Sequence, residues 1–185
     1  MPRLRHVCWL LLLVALLARA SQVQHLDTRA LTISSSDVLI GRIQDTHAHW
    51  NASHTKIFTE VTVQVTDALK GAGAPTLTVT QLGGSVGNLN YEVEGGPVFT
   101  PGEDALLFLW RDARGVAQVN GLAQGKFDIT RDARTGQRLV QRREPGLAVT
   151  EAKRLSLAPA GRVVPPIPLD DMIREIRATL AEGGR

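Results

Sequence analysis

Ile57-Phe58-Thr59-Glu60-Val61-Thr62-Val63-Gln64-Val65-Thr66 is the stretch that decides the fold. Ile57, Thr59, Val61, Val63 and Val65 fall on one face of an extended chain, and Phe58, Glu60, Thr62, Gln64 and Thr66 fall on the other. Period two marks a half-buried strand, because successive side chains of a strand point to opposite faces. Upstream, Asp37 to Trp50 opens with Val38-Leu39-Ile40-Gly41-Arg42-Ile43, and the intervening Asn51-Ala52-Ser53-His54 is turn-like. Residues 37 to 50 and 56 to 69 are therefore expected to form a long hairpin. Downstream, Lys70-Gly71-Ala72-Gly73-Ala74-Pro75 breaks the sheet, and Thr76 to Gln81 alternates Leu77 and Val79 with threonines. Gly83 to Gly87 and Gly95-Gly96-Pro97 flank a short candidate strand at Tyr91-Glu92-Val93.

Ala105 to Trp110 is almost wholly apolar, which predicts a central strand buried on both faces. Val116 to Leu122, Gly125 to Ile129 and Arg138 to Gln141 follow at short spacing, with turns at Asp112 to Gly115 and Asp132 to Gly136. Many short strands rich in valine and threonine point to a small barrel or sandwich, a mainly β protein. Beyond Glu144 the composition changes, and residues 144–168, with Pro145, Pro159, Pro165, Pro166 and Pro168, read as a Pro/Ala/Gly-rich linker or loose strap. In residues 169–182, Leu169, Ile173, Ile176 and Leu180 recur at helical spacing after Asp170 and Asp171, which predicts a C-terminal amphipathic helix. Such a helix docks on the barrel or on a partner. Its polar face carries both signs, which disfavours a membrane surface.

The other end of the chain changes the meaning of the bulk composition. The 185 residues carry a formal charge of +3 and one cysteine. Arg3 and Arg5 precede the apolar run Val7 to Leu17, and Ala18-Arg19-Ala20 has the small-x-small pattern of a cleavage site. Residues 1–20 are expected to be a signal peptide cleaved after Ala20, giving a periplasmic or secreted protein with no stable membrane anchor. The apolar run is too short for a span of about 20 residues. The mature chain would then hold 18 basic and 18 acidic residues and no cysteine. Thiol nucleophiles, redox couples and thiolate metal sites are thereby excluded. Zero net charge and few aromatic residues also remove the support for nucleic-acid binding.

The order Ser36-Asp37-Val38-Leu39-Ile40-Gly41-Arg42-Ile43, Thr59 to Val65 ending in Leu69-Lys70-Gly71, Leu77-Thr78-Val79, and Pro101-Gly102-Glu103-Asp104-Ala105-Leu106-Leu107-Phe108-Leu109 resembles the tissue-inhibitor-of-metalloproteinases-like, or netrin-module-like, OB-fold. The segments Gln81-Leu82-Gly83-Gly84 and Val119 to Phe127 also look like parts of uncharacterised exported bacterial proteins of this layout. The resemblance covers about residues 31 to 130 and implies a small OB-like β-barrel, placed at residues 31–143. Metalloproteinase inhibitors of this type hold the protease zinc through an N-terminal cysteine. Here the mature terminus would be Ser21, and no cysteine is present to hold it.

Among candidate chemical groups, His47, His49 and His54 form H-x-H-x4-H around the hairpin tip, with Asp45 on the same face as His47 and His49. Imidazoles with a carboxylate suit Zn, Cu or Ni, so these three are the candidate ligands of a transition metal. The plainer reading is an exposed hairpin end that carries polar residues. Gly83-Gly84-Ser85-Val86-Gly87 has the letters of G-x-S-x-G but is not followed by the helix that a nucleophile elbow needs, and Ser34, Ser35 and Ser36 suit capping or turn roles. The glycines at 83 to 87 lack the Lys-Ser/Thr of a phosphate loop. Glu92 and Glu94 read as charges protecting an exposed edge, and Arg142-Arg143 and Lys153-Arg154 as solvated surface. Together these features predict an exported, non-catalytic binding module with a protein partner and no obligatory cofactor. The alternative is a periplasmic metal-binding module, and an enzyme ranks third.

Overall fold

The computed structural model describes residues 26–142 and 165–183. The signal segment 1–20 and residues 143–164, which include most of the expected linker, lie outside the described residues.

The expected hairpin forms from β1 (Asp37–Trp50) and β2 (Ile57–Lys70), paired antiparallel from Val38↔Lys70 to Trp50↔Ile57. Ile57, Thr59, Val61 and Val63 are buried, as the alternation predicts. β3 (Thr76–Leu82) adds antiparallel to β2. A separate small hairpin of β4 (Gly84–Val86) and β5 (Leu89–Tyr91) follows, so the short candidate strand lies two residues earlier than its sequence suggested. β6 (Asp104–Arg111) pairs with the first half of β1, and β7 (Ala117–Val119) pairs with the end of β6. One parallel bridge, Val79↔Ala117, joins β3 to β7. The ring β1-β2-β3-β7-β6 thus returns to β1, a closed five-stranded OB-like barrel.

Closure requires β1 to bend, and its register shifts at Val38/Leu39, Ile40/Gly41 and Ile43/Asp45. Bulges of this kind increase local twist and let one strand serve two sheet directions. Gly41 sits in this stretch because a Cβ there would lie 2.5 Å from Val63 Cγ1 and 2.8 Å from the Gln64 carbonyl oxygen.

Strands β1 and β6 are covered on both faces. Leu39, Ile43, Ala105, Leu107 and Leu109 point into the barrel, where they meet Val61, Val63, Val79, Ala117 and Val119. Val38, Ile40, Leu106 and Phe108 point outward into a second core formed with two helices and Phe127 and Val140. This explains the unbroken apolar run at 105–109. Trp110, next to the last residue of the strand, departs from it and is 39% exposed.

The sequence reading contained no helix before β1, yet α1 (Thr28–Ser34) is present. Asp27 caps it by accepting from the Ala30 amide at 2.7 Å, and Lys70 Nζ donates to the carbonyls of Thr32 and Ile33 at 2.9 and 3.1 Å. A cation on the last carbonyls of a helix satisfies orphan acceptors and complements the dipole. β8 (Lys126–Arg131), reached through a 3-10 turn at Leu122–Gly125, and β9 (Arg138–Arg142) extend the sheet from β6. Ile167–Pro168 at the end of the expected linker forms β10 against β9.

The C-terminal helix is α2 (Leu169–Gly183), and it docks on the barrel. Leu169, Met172, Ile176 and Thr179 are buried, while Ile173 and Leu180 from the expected stripe are half-buried at its margin. Arg29 of α1 pairs with Glu182 of α2 at 2.5 Å. Arg142, expected on a solvated surface, is instead buried, with its guanidinium 5.6 Å from the Phe127 ring centroid and Nη1 donating to the Leu26 carbonyl at 2.9 Å. Among the described residues, no helix is long and apolar enough to cross a membrane.

Candidate functional site

A cleft of about 530 Å³ lies between the hairpin end of the barrel and the excursion from Gly84 to Phe99. Its floor is a single row across three strands, Ala48 opposite Thr59 and Thr59 opposite Gln81. The register shift at Ile43/Asp45 sets this arrangement. Beyond it, Thr46 and Ala48 face the cleft. Asp45, His47 and His49, which alternate with them, take the opposite face.

The walls are backbone-rich. Gly84 has φ 132°, and a Cβ there would collide with Thr59 Oγ1 and Ala48. Thr59 Oγ1 is buried and donates to the Gly83 carbonyl at 2.7 Å, which pins the start of the excursion to the floor. The β4–β5 turn places Gly87 at φ 59°, the first central position that a type II′ turn reserves for glycine. Ser85 Oγ donates to Asn90 Oδ1 at 2.9 Å across that hairpin. The far end is anchored by the Ala123 amide, which donates to the Gly95 carbonyl at 3.0 Å, and by Phe99, packed toward the barrel core. Lys126 Nζ lies 5.3 Å from the Phe99 ring centroid and is held by Glu103 at 2.9 Å and by Asp128.

Three features give the cleft binding character. Its lining includes the exposed apolar side chains of Tyr91, at 46%, and Val98, at 66%, and Leu89, at 59%, lies two residues before Tyr91 on the same strand. Glu92 is the one charged side chain among the described lining residues. Gln81 Oε1 is sealed from solvent and receives no hydrogen bond. An unsatisfied buried acceptor costs about 1–3 kcal/mol, so such a group is normally kept for a purpose or for a partner.

The three histidines are not brought together. His47 and His49 stack with centroids 5.9 Å apart. His54 stacks on Trp50 at 6.1 Å. Trp50 shares strand parity with Ala48, so His54 follows it away from the His47 and His49 face. The turn geometry drives this: His54 adopts φ 54°, and Asn51 Oδ1 accepts from the amides of Thr55 and Lys56 at 2.8 and 3.1 Å. Among the described residues, no three His, Cys, Asp or Glu side chains are grouped to hold one ion.

No protein family, curated protein or solved structure matches the chain.

Sequence reasoning named Glu92 as an edge charge, placed Gln81 and Tyr91 in strand and family-like segments without a binding role, and did not single out Val98. The signal that could have found them is the dense run of glycines from Gly83 to Gly96, which marks an excursion with several left-handed turns around exposed apolar residues.

Proposed function

We propose that the chain is an exported, non-catalytic binding module whose partner is a protein docked at the cleft. The observation that carries this reading is the exposed Tyr91 and Val98 of the cleft lining, with exposed Leu89 on the same strand as Tyr91, beside a concavity floored by polar groups. Exposed large apolar side chains gathered at one place favour a macromolecular contact, with the polar floor fixing register. The resemblance to the netrin-module OB-fold supports a protein ligand, and the absence of a cysteine at Ser21 argues against the zinc-chelating mode of metalloproteinase inhibitors. Among the described lining residues the hydroxyl of Ser85 bonds the Asn90 amide and not a base, which favours binding over catalysis.

A photo-crosslinking side chain at Val98, compared with one at the remote Arg131, tests the reading. One protein of the native exported fraction is expected to crosslink at position 98 alone, and Leu89→Asp should abolish its capture. A hydrolase activity lost on substitution of a cleft residue would overturn it.

A further inference from the structure

We infer that the cleft recognises an arginine side chain presented by the partner, an inference that rests on the cleft being the docking surface. The lining offers hydrogen-bond acceptors with negative charge and no cation to repel a guanidinium. Glu92 makes no ion pair among the described residues. Lys126, the buried cation against the Phe99 ring, is already neutralised by Glu103 and Asp128. Gln81 Oε1 lacks a donor. The last torsion of glutamine is soft, so its amide swings toward the cleft when a donor arrives.

Tyr91 completes the set. Nearly half exposed at the lip, it offers a ring face to a cation. A planar guanidinium offers such a ring a face to stack on and carries five N–H donors at its edge for acceptors such as the Glu92 carboxylate. A lysine ammonium, a compact point charge, has no planar face to lay on the ring. An uncharged glycan would leave Glu92 without a counter-charge.

Calorimetric titration of the full chain with acetyl-arginine amide, acetyl-lysine amide and acetyl-citrulline amide tests this. The arginine compound is expected to saturate the chain, with the citrulline and lysine compounds about ten-fold weaker. Glu92→Gln should bring arginine down to the citrulline level while leaving the thermal midpoint unchanged. Equal affinities, no saturation by arginine, indifference to Glu92→Gln, or saturation by an uncharged oligosaccharide in its place would each overturn the inference. If arginine fails while a protein still crosslinks at Val98, the docking reading stands and the arginine assignment alone falls.

Discussion

Arg111 Nε donates to Asp37 Oδ2 at 2.8 Å, joining the first residue of β1 to the last of β6. The Asp37 side chain is 9% exposed and that of Arg111 36%. The pair therefore sits between a buried and a surface bridge, and removing one partner strands a largely buried carboxylate or leaves the arginine unopposed. Asp37→Ala is expected to cost about 1–3 kcal/mol, discounted from the fully buried range for the solvent at Arg111. Urea unfolding of Asp37→Ala, Arg111→Ala and the double variant measures it. Strict additivity of the two single losses would show that the bridge contributes nothing.

The docking of α2 predicts a second loss. Ile176 is fully buried against Leu31, Phe108 and Val140 in the outer core. Ile176→Ala should cost about 2–4 kcal/mol by removing buried apolar area and leaving a cavity. Because α1 packs on the same helix, its amides should exchange faster in the variant, as hydrogen exchange would report. Unchanged stability would mean that α2 is a passenger on the barrel.

How much of this was legible in the sequence differs by element. Period-two alternation at Ile57 to Val65 and the apolar run at Ala105 to Leu109 are local consequences of one- and two-sided burial, and both can be read without tertiary knowledge. Helix α1 could not be read in that way, because it is one short segment with only Leu31 and Thr32 buried, stabilised by Lys70 from a distant strand. Arg142 reads as surface because its partners, Phe127 and Leu26, are supplied by the fold. The cleft is similarly hidden: Gln81 and Glu92 lie eleven positions apart with no shared periodicity, and only the fold brings both into the lining of one concavity. His54 was misplaced because spacing alone does not reveal a left-handed residue that turns the ring toward Trp50.

Two aspartates set an acid dependence on the hairpin turns. At Asp132 the Thr135 amide, at 2.7 Å, is the largest cause of a pKa held below the ordinary aspartate value, with the Thr135 hydroxyl next. At Asp112 the Val116 amide, at 2.9 Å, acts in the same direction. A folded-state pKa below the unfolded one stabilises the turns above the unfolded value, and this is lost as pH falls through the folded value. NMR titration should place both carboxyls below the ordinary aspartate value. Asp132→Asn should remove that turn's share of the acid dependence, and titration of Asp132 at or above the ordinary value would refute the assignment.

Gly84 links stability to the shape of the cleft. Its φ of 132° is one that side chains rarely adopt, and an added Cβ would strike Thr59 Oγ1, the group that holds the Gly83 carbonyl. Gly84→Ala should cost about 1–3 kcal/mol through backbone strain. It should also shift the amide resonances of Ser85 to Glu92 more than those of β8 and β9. Equal shifts in both regions would indicate a global change and separate the cleft from this glycine.

Lys126 is the most demanding test of how the excursion is held. Its side chain is 6% exposed, and it meets Glu103 and Asp128 while covering the Phe99 ring. Lys126→Met preserves much of the apolar stem yet leaves two partly buried carboxylates facing each other without their cation, a change expected to cost about 3 kcal/mol or more at neutral pH. Because Glu103 Oε1 also accepts from the Thr100 amide at 3.1 Å, repulsion there should loosen the 97–103 segment and with it the Phe99 wall of the cleft. Removing one carboxylate in the double variant Lys126→Met/Glu103→Gln should recover part of the loss if repulsion is its cause, whereas a packing defect alone would persist. Parallel urea unfolding curves for the single and double variants therefore separate the electrostatic role of this lysine from its role as filler. A deficit unchanged by Glu103→Gln would assign it to filling space.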